Sequence, residues 1–166
     1  MTATELCDAS RPLNPRIQLR DVWILMRQFE ERKLTRCLNR RQKTGKLYCL
    51  TDHGRQVVRE AFGVAIKPVA RGVNWNKYSQ VARAKIRKLV LLAIAKWTAQ
   101  KGAPVSASEI RRSNRIECPV GLNPVIRAIK DLRSLGLIAA GPQSKDRRTS
   151  YSVTQGGKRI VAQLTA

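Results

Sequence analysis

Between residues 82 and 99 the sequence ARAKIRKLVLLAIAKWTA sets Ile86, Leu89, Val90, Ala93, Ile94 and Trp97 at helical intervals. Lys85, Arg87, Lys88 and Lys96 fall largely on the other side. This predicts a long amphipathic helix, stopped at Lys101-Gly102-Ala103-Pro104 by a glycine cap followed by proline. Ser106 then caps a short helix of about two turns through Arg112, and Glu109 stands three residues on, the spacing of a capping box. After a loop containing Pro119 and Gly121, the residues Leu122, Val125, Ile126, Ile129 and Leu132 form one stripe of a third helix. Pro124 is tolerated only in a first turn, so this helix starts near Asn123. Gly136 ends it, and Leu137 to Ala140 reads as a short strand. The turn-rich, basic GPQSKDRRT and the strand-like SYSVT complete a hairpin, and a last short helix starts at Gln155.

The first part of the chain repeats this pattern. YCLTDHGRQVV at 48–58 and YSVTQGGKRIV at 151–161 align at an offset of 103. At that offset Leu19 meets Leu122, Val22 meets Val125, Met26 meets Ile129, Phe29 meets Leu132 and Leu34 meets Leu137. TATEL at 2–6 parallels SASEI at 106–110 with an offset of 104, so the intervening loop differs by one residue. The expected class is mostly α with small β-hairpins, α+β, built twice. Thr51 and Thr154 are placed to cap the last helix of each copy, and Tyr48 and Tyr151 to cover the edge of each core.

Charge changes the picture more than composition does. A hydrophobic content of 43% is enough for packed cores, but 33 Lys and Arg against 11 Asp and Glu give a formal net charge of +22. Such a charge repels itself unless a polyanion shares it, and nucleic acid is the commonest polyanion in a cell. The most apolar run, Leu89 to Ala95, is far too short to span a bilayer, and the start MTATELCDAS does not read as a secretory signal. The expected setting is therefore soluble and cytoplasmic, with no membrane partner. Cys7, Cys37, Cys49 and Cys118 lack metal-ligand spacing and have only His53 for company, so they read as reduced thiols and no cofactor or metal is expected. One histidine, no phosphate-cradling glycine loop and no carboxylate cluster leave nothing for an active site, so the chain does not read as an enzyme.

A short helix, a turn, a second helix ending in LRSLGLI and a basic hairpin ending in YSVTQGG together resemble a winged helix-turn-helix domain of the kind found in archaeal and bacterial transcription regulators, MarR-like ones among them. The resemblance covers residues 82–164 and, through the repeat, implies two tandem copies. It divides the chain into a first winged helix at 1–62 without its usual first helix, a linker at 63–80, and a complete second copy at 81–166. The surface left by the missing helix would be covered by the segment at 64–78, by the long helix 82–99, or by another subunit, which implies a homodimer through either surface.

What the resemblance implies about chemistry follows residue by residue. The helix before each wing enters the major groove, where Asn123 and Arg127 in the second copy, and Gln18 and Arg20 in the first, are residue types that pair with base edges. Arg27, Lys130 and Arg133 on those helices would hold phosphates, as would Arg40, Arg41, Lys43 and Lys46 in the first wing and Lys145, Arg147 and Arg148 in the second. Asp21 and Asp131 cannot lie against phosphate and are expected to face away or to pair with a basic neighbour. The implied partner is double-stranded DNA and the implied setting nucleoid-associated. A sequence-tolerant architectural protein, a winged-helix adaptor between proteins and an RNA binder remain alternatives.

Overall fold

The computed structural model describes residues 1–117, 121–141 and 149–165, and the chain divides into two units, Met1–Arg71 and Gly72–Ala166. In the first, α1 (Ala3–Ser10) and α2 (Leu19–Glu31) precede a hairpin of β1 (Thr35–Cys37) and β2 (Tyr48–Leu50), and α3 (Asp52–Phe62) follows. In the second, α4 (Trp75–Ala82) and α5 (Lys85–Lys101) lead into β3 (Val105–Ser106), α6 (Ala107–Glu117), α7 (Leu122–Ser134), β4 (Ile138–Ala140), β5 (Ser150–Val153) and α8 (Gln155–Leu164). The strands are antiparallel in both units, and in the second they lie in the order β3-β5-β4. The protein is mostly helical with small antiparallel sheets, the α+β class that the periodicity predicts.

Three boundaries differ from expectation. The helix expected from Ala82 begins at Lys85, because Trp75–Ala82 forms a separate helix whose start is capped by the Asn74 side chain accepting the Lys77 N–H at 3.1 Å. The helix expected to stop near Arg112 runs to Glu117, since no glycine or proline interrupts Arg111 to Glu117. Val105–Ser106 adds an edge strand that two residues are too few to announce.

The repeat extends to individual hydrogen bonds. The pairs Thr35↔Leu50, Arg36↔Cys49 and Cys37↔Tyr48 recur, 103 residues on, as Ile138↔Val153, Ala139↔Ser152 and Ala140↔Tyr151. The bridge Thr2↔Leu47 corresponds to Ser106↔Ser150. Leu34 N–H bonds the Phe29 carbonyl at 2.8 Å, and Leu137 N–H bonds the Leu132 carbonyl at 3.0 Å. Each terminal helix starts in the same way, with Thr51 Oγ1 accepting the Gly54 N–H at 3.0 Å and Thr154 Oγ1 accepting the Gly157 N–H at 3.1 Å. Both glycines are required by contact: a Cβ on Gly54 would collide with the Leu34 carbonyl oxygen, and one on Gly157 with that of Leu137. Both capping boxes form as well. The Glu5 carboxylate takes the Thr2 N–H at 2.7 Å, and that of Glu109 takes the Ser106 N–H at 2.8 Å.

The cores are unequal. In the second unit α5 lies across α7, β5 and α8, and Val90, Leu91 and Ile94 are buried with Val105, Ile110, Val125, Ile129, Leu132, Leu137 and Ile160. The core of the first unit consists of Ala3, Cys7, Val22, Met26 and Tyr48. No helix within it plays the part of α5. Phe29 is 37% exposed where Leu132 is 0%, Leu25 is exposed where Ala128 is buried, and Val57 is exposed where Ile160 is buried. Of the segment 64–78 expected as one cover for this face, Val64 and Ile66 stay exposed, Val69 is half-buried and Val73 packs onto the second unit's core. Thr51 and Thr154 act as caps, Tyr48 is buried and Tyr151 packs at the edge of the second core, as the repeated motif predicts.

Candidate nucleic-acid interface

The buried stripe of α7, Val125, Ala128, Ile129 and Leu132, fixes which side of that helix faces outward. Asn123, Arg127 and Lys130 lie opposite it and Arg133 lies on a flank; all four are exposed. The acid on this helix, Asp131, is neutralised by Arg87 of α5, whose Nε donates to Asp131 Oδ2 at 2.8 Å while its Nη1 donates to the Gln80 carbonyl at 3.1 Å. Asp131 is thus held on the flank nearest α5, paired with a basic neighbour as expected. The outward face is left polar and cationic. Arg87 thus serves the fold through this pair, a role that its place among the basic residues of a helix does not reveal.

On α2 the buried residues Val22 and Met26 turn Arg20, Ile24 and Arg27 outward, and Gln18 is exposed at the helix start. Among the described residues no cation pairs with Asp21. Its carboxylate accepts the Gln18 backbone N–H at 2.9 Å and so fixes the first turn. Arg27 has a partner on its own helix, Glu31, at 3.3 Å, both side chains being well exposed. An exposed pair of this kind contributes about 0 to 1 kcal/mol, so a phosphate could displace Glu31. Over its whole length α2 carries Arg20 and Arg27 against Asp21, Glu30 and Glu31, whereas α7 carries Arg127, Lys130 and Arg133 against Asp131 alone.

Arg40, Arg41 and Lys43 project from the first wing, and Lys46 is half-buried at its base. The loop is held from inside by Asn39, which is fully buried. Its Oδ1 accepts the Leu47 N–H at 2.6 Å and its Nδ2 donates to the Gly45 carbonyl at 3.2 Å. Lys145, Arg147 and Arg148 of the second wing lie outside the described residues. Between α2 and β2 runs an open groove of about 730 Å³, lined by Leu19, Arg20, Trp23, Ile24, Arg27, Glu30, Lys46 and Tyr48. Trp23 meets Tyr48 edge-on, with ring centroids 6.3 Å apart. Burial, with the Glu30 carboxylate and the Cys37 thiol nearby, raises the Tyr48 phenol above its ordinary pKa, so it stays neutral. The aromatic wall of this groove went unread in the sequence, although Trp23 and Tyr48 are both visible there.

No protein-family model matches the chain, and no curated protein matches it. Two solved structures are similar to part of it. One is a candidate DNA-binding protein from Ralstonia eutropha JMP134, with 25% sequence identity and a TM-score of 0.42, covering 50% of this chain and 98% of that one. The other is a PadR-like transcription factor from Bacteroides fragilis, with 19% identity and a TM-score of 0.43, covering 54% of this chain and 85% of that one.

The other chemistry-bearing residues stand apart. His53 is exposed at the start of α3; Cys7 is buried, Cys37 and Cys49 are half-buried, all three as free thiols, and Cys118 lies outside the described residues. Among the described residues no group of three His, Cys, Asp or Glu is placed to hold a metal ion, and no helix is long and apolar enough to cross a membrane.

Proposed function

We propose that the chain is a double-stranded-DNA-binding transcription regulator made of two winged helices, with α7 and α2 as the major-groove helices and the basic hairpins on the backbone. The observation that carries this reading is the outward side of α7. Asn123, Arg127 and Lys130 are exposed together while Arg87 occupies the one acid of the helix. Asn and Arg are suited to adenine and guanine edges, and Lys130 and Arg133 to flanking phosphates. On α2, Gln18 and Arg20 take the base-reading role and Arg27 a phosphate; Arg40, Arg41, Lys43 and Lys46 line the backbone beside them. The second wing contributes Lys145, Arg147 and Arg148. The recurrence of strand register, caps and glycine contacts at one constant offset supports reading both units as copies of one module.

The architectural alternative is favoured by one observation, that the charge is not confined to these faces. The first unit has 15 Lys and Arg against 7 Asp and Glu, and the second 18 against 4. Titration of fluorescent duplex DNA, comparing random sequence with a site selected from a random pool across a salt series, separates the two. Binding of the selected site about a thousandfold tighter than random duplex supports the regulator. Equal binding with a steep salt slope supports the architectural protein, and the absence of binding to either duplex refutes both.

A further inference from the structure

We propose that the first unit reads thymine through its 5-methyl group, with Ile24 as the residue that touches it; this rests on α2 lying in a major groove. Ile24 stands at the middle of the outward face of α2, between Arg20 one turn before and Arg27 one turn after, and it is 47% exposed. The buried residues of this helix are Val22 and Met26, so Ile24 contributes nothing to the core. Nor does it belong to the uncovered face of the unit, where Leu25 and Phe29 correspond to residues that α5 buries in the other copy. Ile24 is an apolar side chain held at the surface between two arginines.

The repeat sharpens the contrast. At the position of Ile24 the helix α7 carries Arg127, and at the position of Arg20 it carries Asn123. One helix therefore offers hydrogen-bond donors at the centre of its outward face, and the other offers a branched hydrocarbon. The major groove presents one apolar feature among its donors and acceptors, the thymine methyl. Trp23, beside Ile24 and braced against Tyr48, closes the hairpin side of the protein's own groove between α2 and β2, which Ile24 also lines. A methyl entering there would leave water on contact with Ile24, with Trp23 on one flank. Arg20 and Arg27 remain for a neighbouring guanine or phosphate. The two halves of the recognised site should accordingly differ: a thymine step under the first unit, purine edges under the second.

The test is a scan of the selected duplex with the full chain, replacing one thymine at a time by deoxyuridine, which removes the methyl and keeps every hydrogen-bonding group. One position, or two adjacent ones, should lose about fourfold in affinity, the equivalent of one buried methyl. In Ile24→Ala that sensitivity should vanish, so that the variant binds thymine and deoxyuridine duplexes alike, while Arg127→Ala should lose affinity and retain the deoxyuridine effect. Because Ile24 is exposed, the alanine variant should keep its fold, which circular dichroism checks; the scan with the unaltered protein stands regardless. Tight duplex binding with no deoxyuridine-sensitive position, or a sensitivity that survives in Ile24→Ala, overturns the thymine contact and leaves the regulator standing. If no duplex binds at all, the DNA-binding reading falls and the thymine contact with it.

Discussion

The two units share a backbone plan and differ in what lies over it. In the second, α5 covers α7 and α8, and Leu132 and Ile160 are sealed in a core that draws on nearly every element. In the first, the corresponding Phe29 and Val57 are exposed, and α1, α2 and the hairpin close around Ala3, Cys7, Val22, Met26 and Tyr48. The same hydrogen-bond pattern therefore survives on two very different amounts of apolar burial. The hairpin and its flanking caps set the geometry, while the covering helix sets the stability.

The difference can be broken most directly at its widest point. Leu132→Ala should destabilise the second unit by about 2 to 5 kcal/mol, whereas Phe29→Ala should cost the first unit only about 1 kcal/mol, the Phe side chain being partly in water already. Denaturant unfolding followed by fluorescence of Trp23 for the first unit, and of Trp75 and Trp97 for the second, resolves the two transitions. Equal costs would mean that something covers Phe29 in solution. Next in size is the contact the units have in common. Gly157→Ala and Gly54→Ala both drive a Cβ into a backbone carbonyl and should each cost about 1 to 3 kcal/mol. A penalty in one unit only would show that the shared plan is not held in the same way twice.

A smaller effect concerns the residue that follows α2 and its counterpart after α7. Gly136 has φ 66° and Lys33, its counterpart, has φ 57°. The left-handed conformation is easy for glycine and strained for lysine, so Lys33→Gly should stabilise the first unit by about 1 kcal/mol, and Gly136→Lys should do the reverse in the second. Thermal unfolding of both variants checks the pair.

The last effect depends on pH. Glu109 is brought from its ordinary 4.5 to about 2, chiefly by the Lys101 hydrogen bond and then by the Ser106 N–H and hydroxyl. A carboxyl held below its usual range stabilises the folded state above that range, and the contribution fades as pH falls through the interval from 4.5 to about 2. Glu109→Gln should therefore flatten the acid limb of the second unit's unfolding, as measured by the midpoint denaturant concentration at successive pH values. An unchanged acid limb would remove Glu109 as its cause.

Much of this comparison was legible in the residues. The repeated Tyr-x-x-Thr-x-x-Gly places the second hairpin strand and the cap, because each depends on local geometry that a few residues specify; the close contact of each glycine with a carbonyl of the preceding strand segment came only with the structure. Helix α4 was not legible, since WNKYSQVA is too short for a period to declare itself and its start rests on a single asparagine. The exposure of Leu25 and Phe29 was not legible for a different reason. An apolar stripe states which side of a helix avoids water, and says nothing of whether another element arrives to cover it. The pairing of Arg87 with Asp131 and the burial of Asn39 join residues from separate elements or across a loop, and no spacing rule announces either.

Asn39 has one more consequence. Its amide fastens both ends of the wing from inside, so the loop from Arg40 to Lys46 loses its conformational freedom when the protein folds. In the proposed DNA complex a strand of phosphates would meet a shape already set, with little entropy left to surrender on binding. In that complex, loosening this one amide would leave every positive charge in place and still weaken binding, through the disorder that the bound loop would then have to give up.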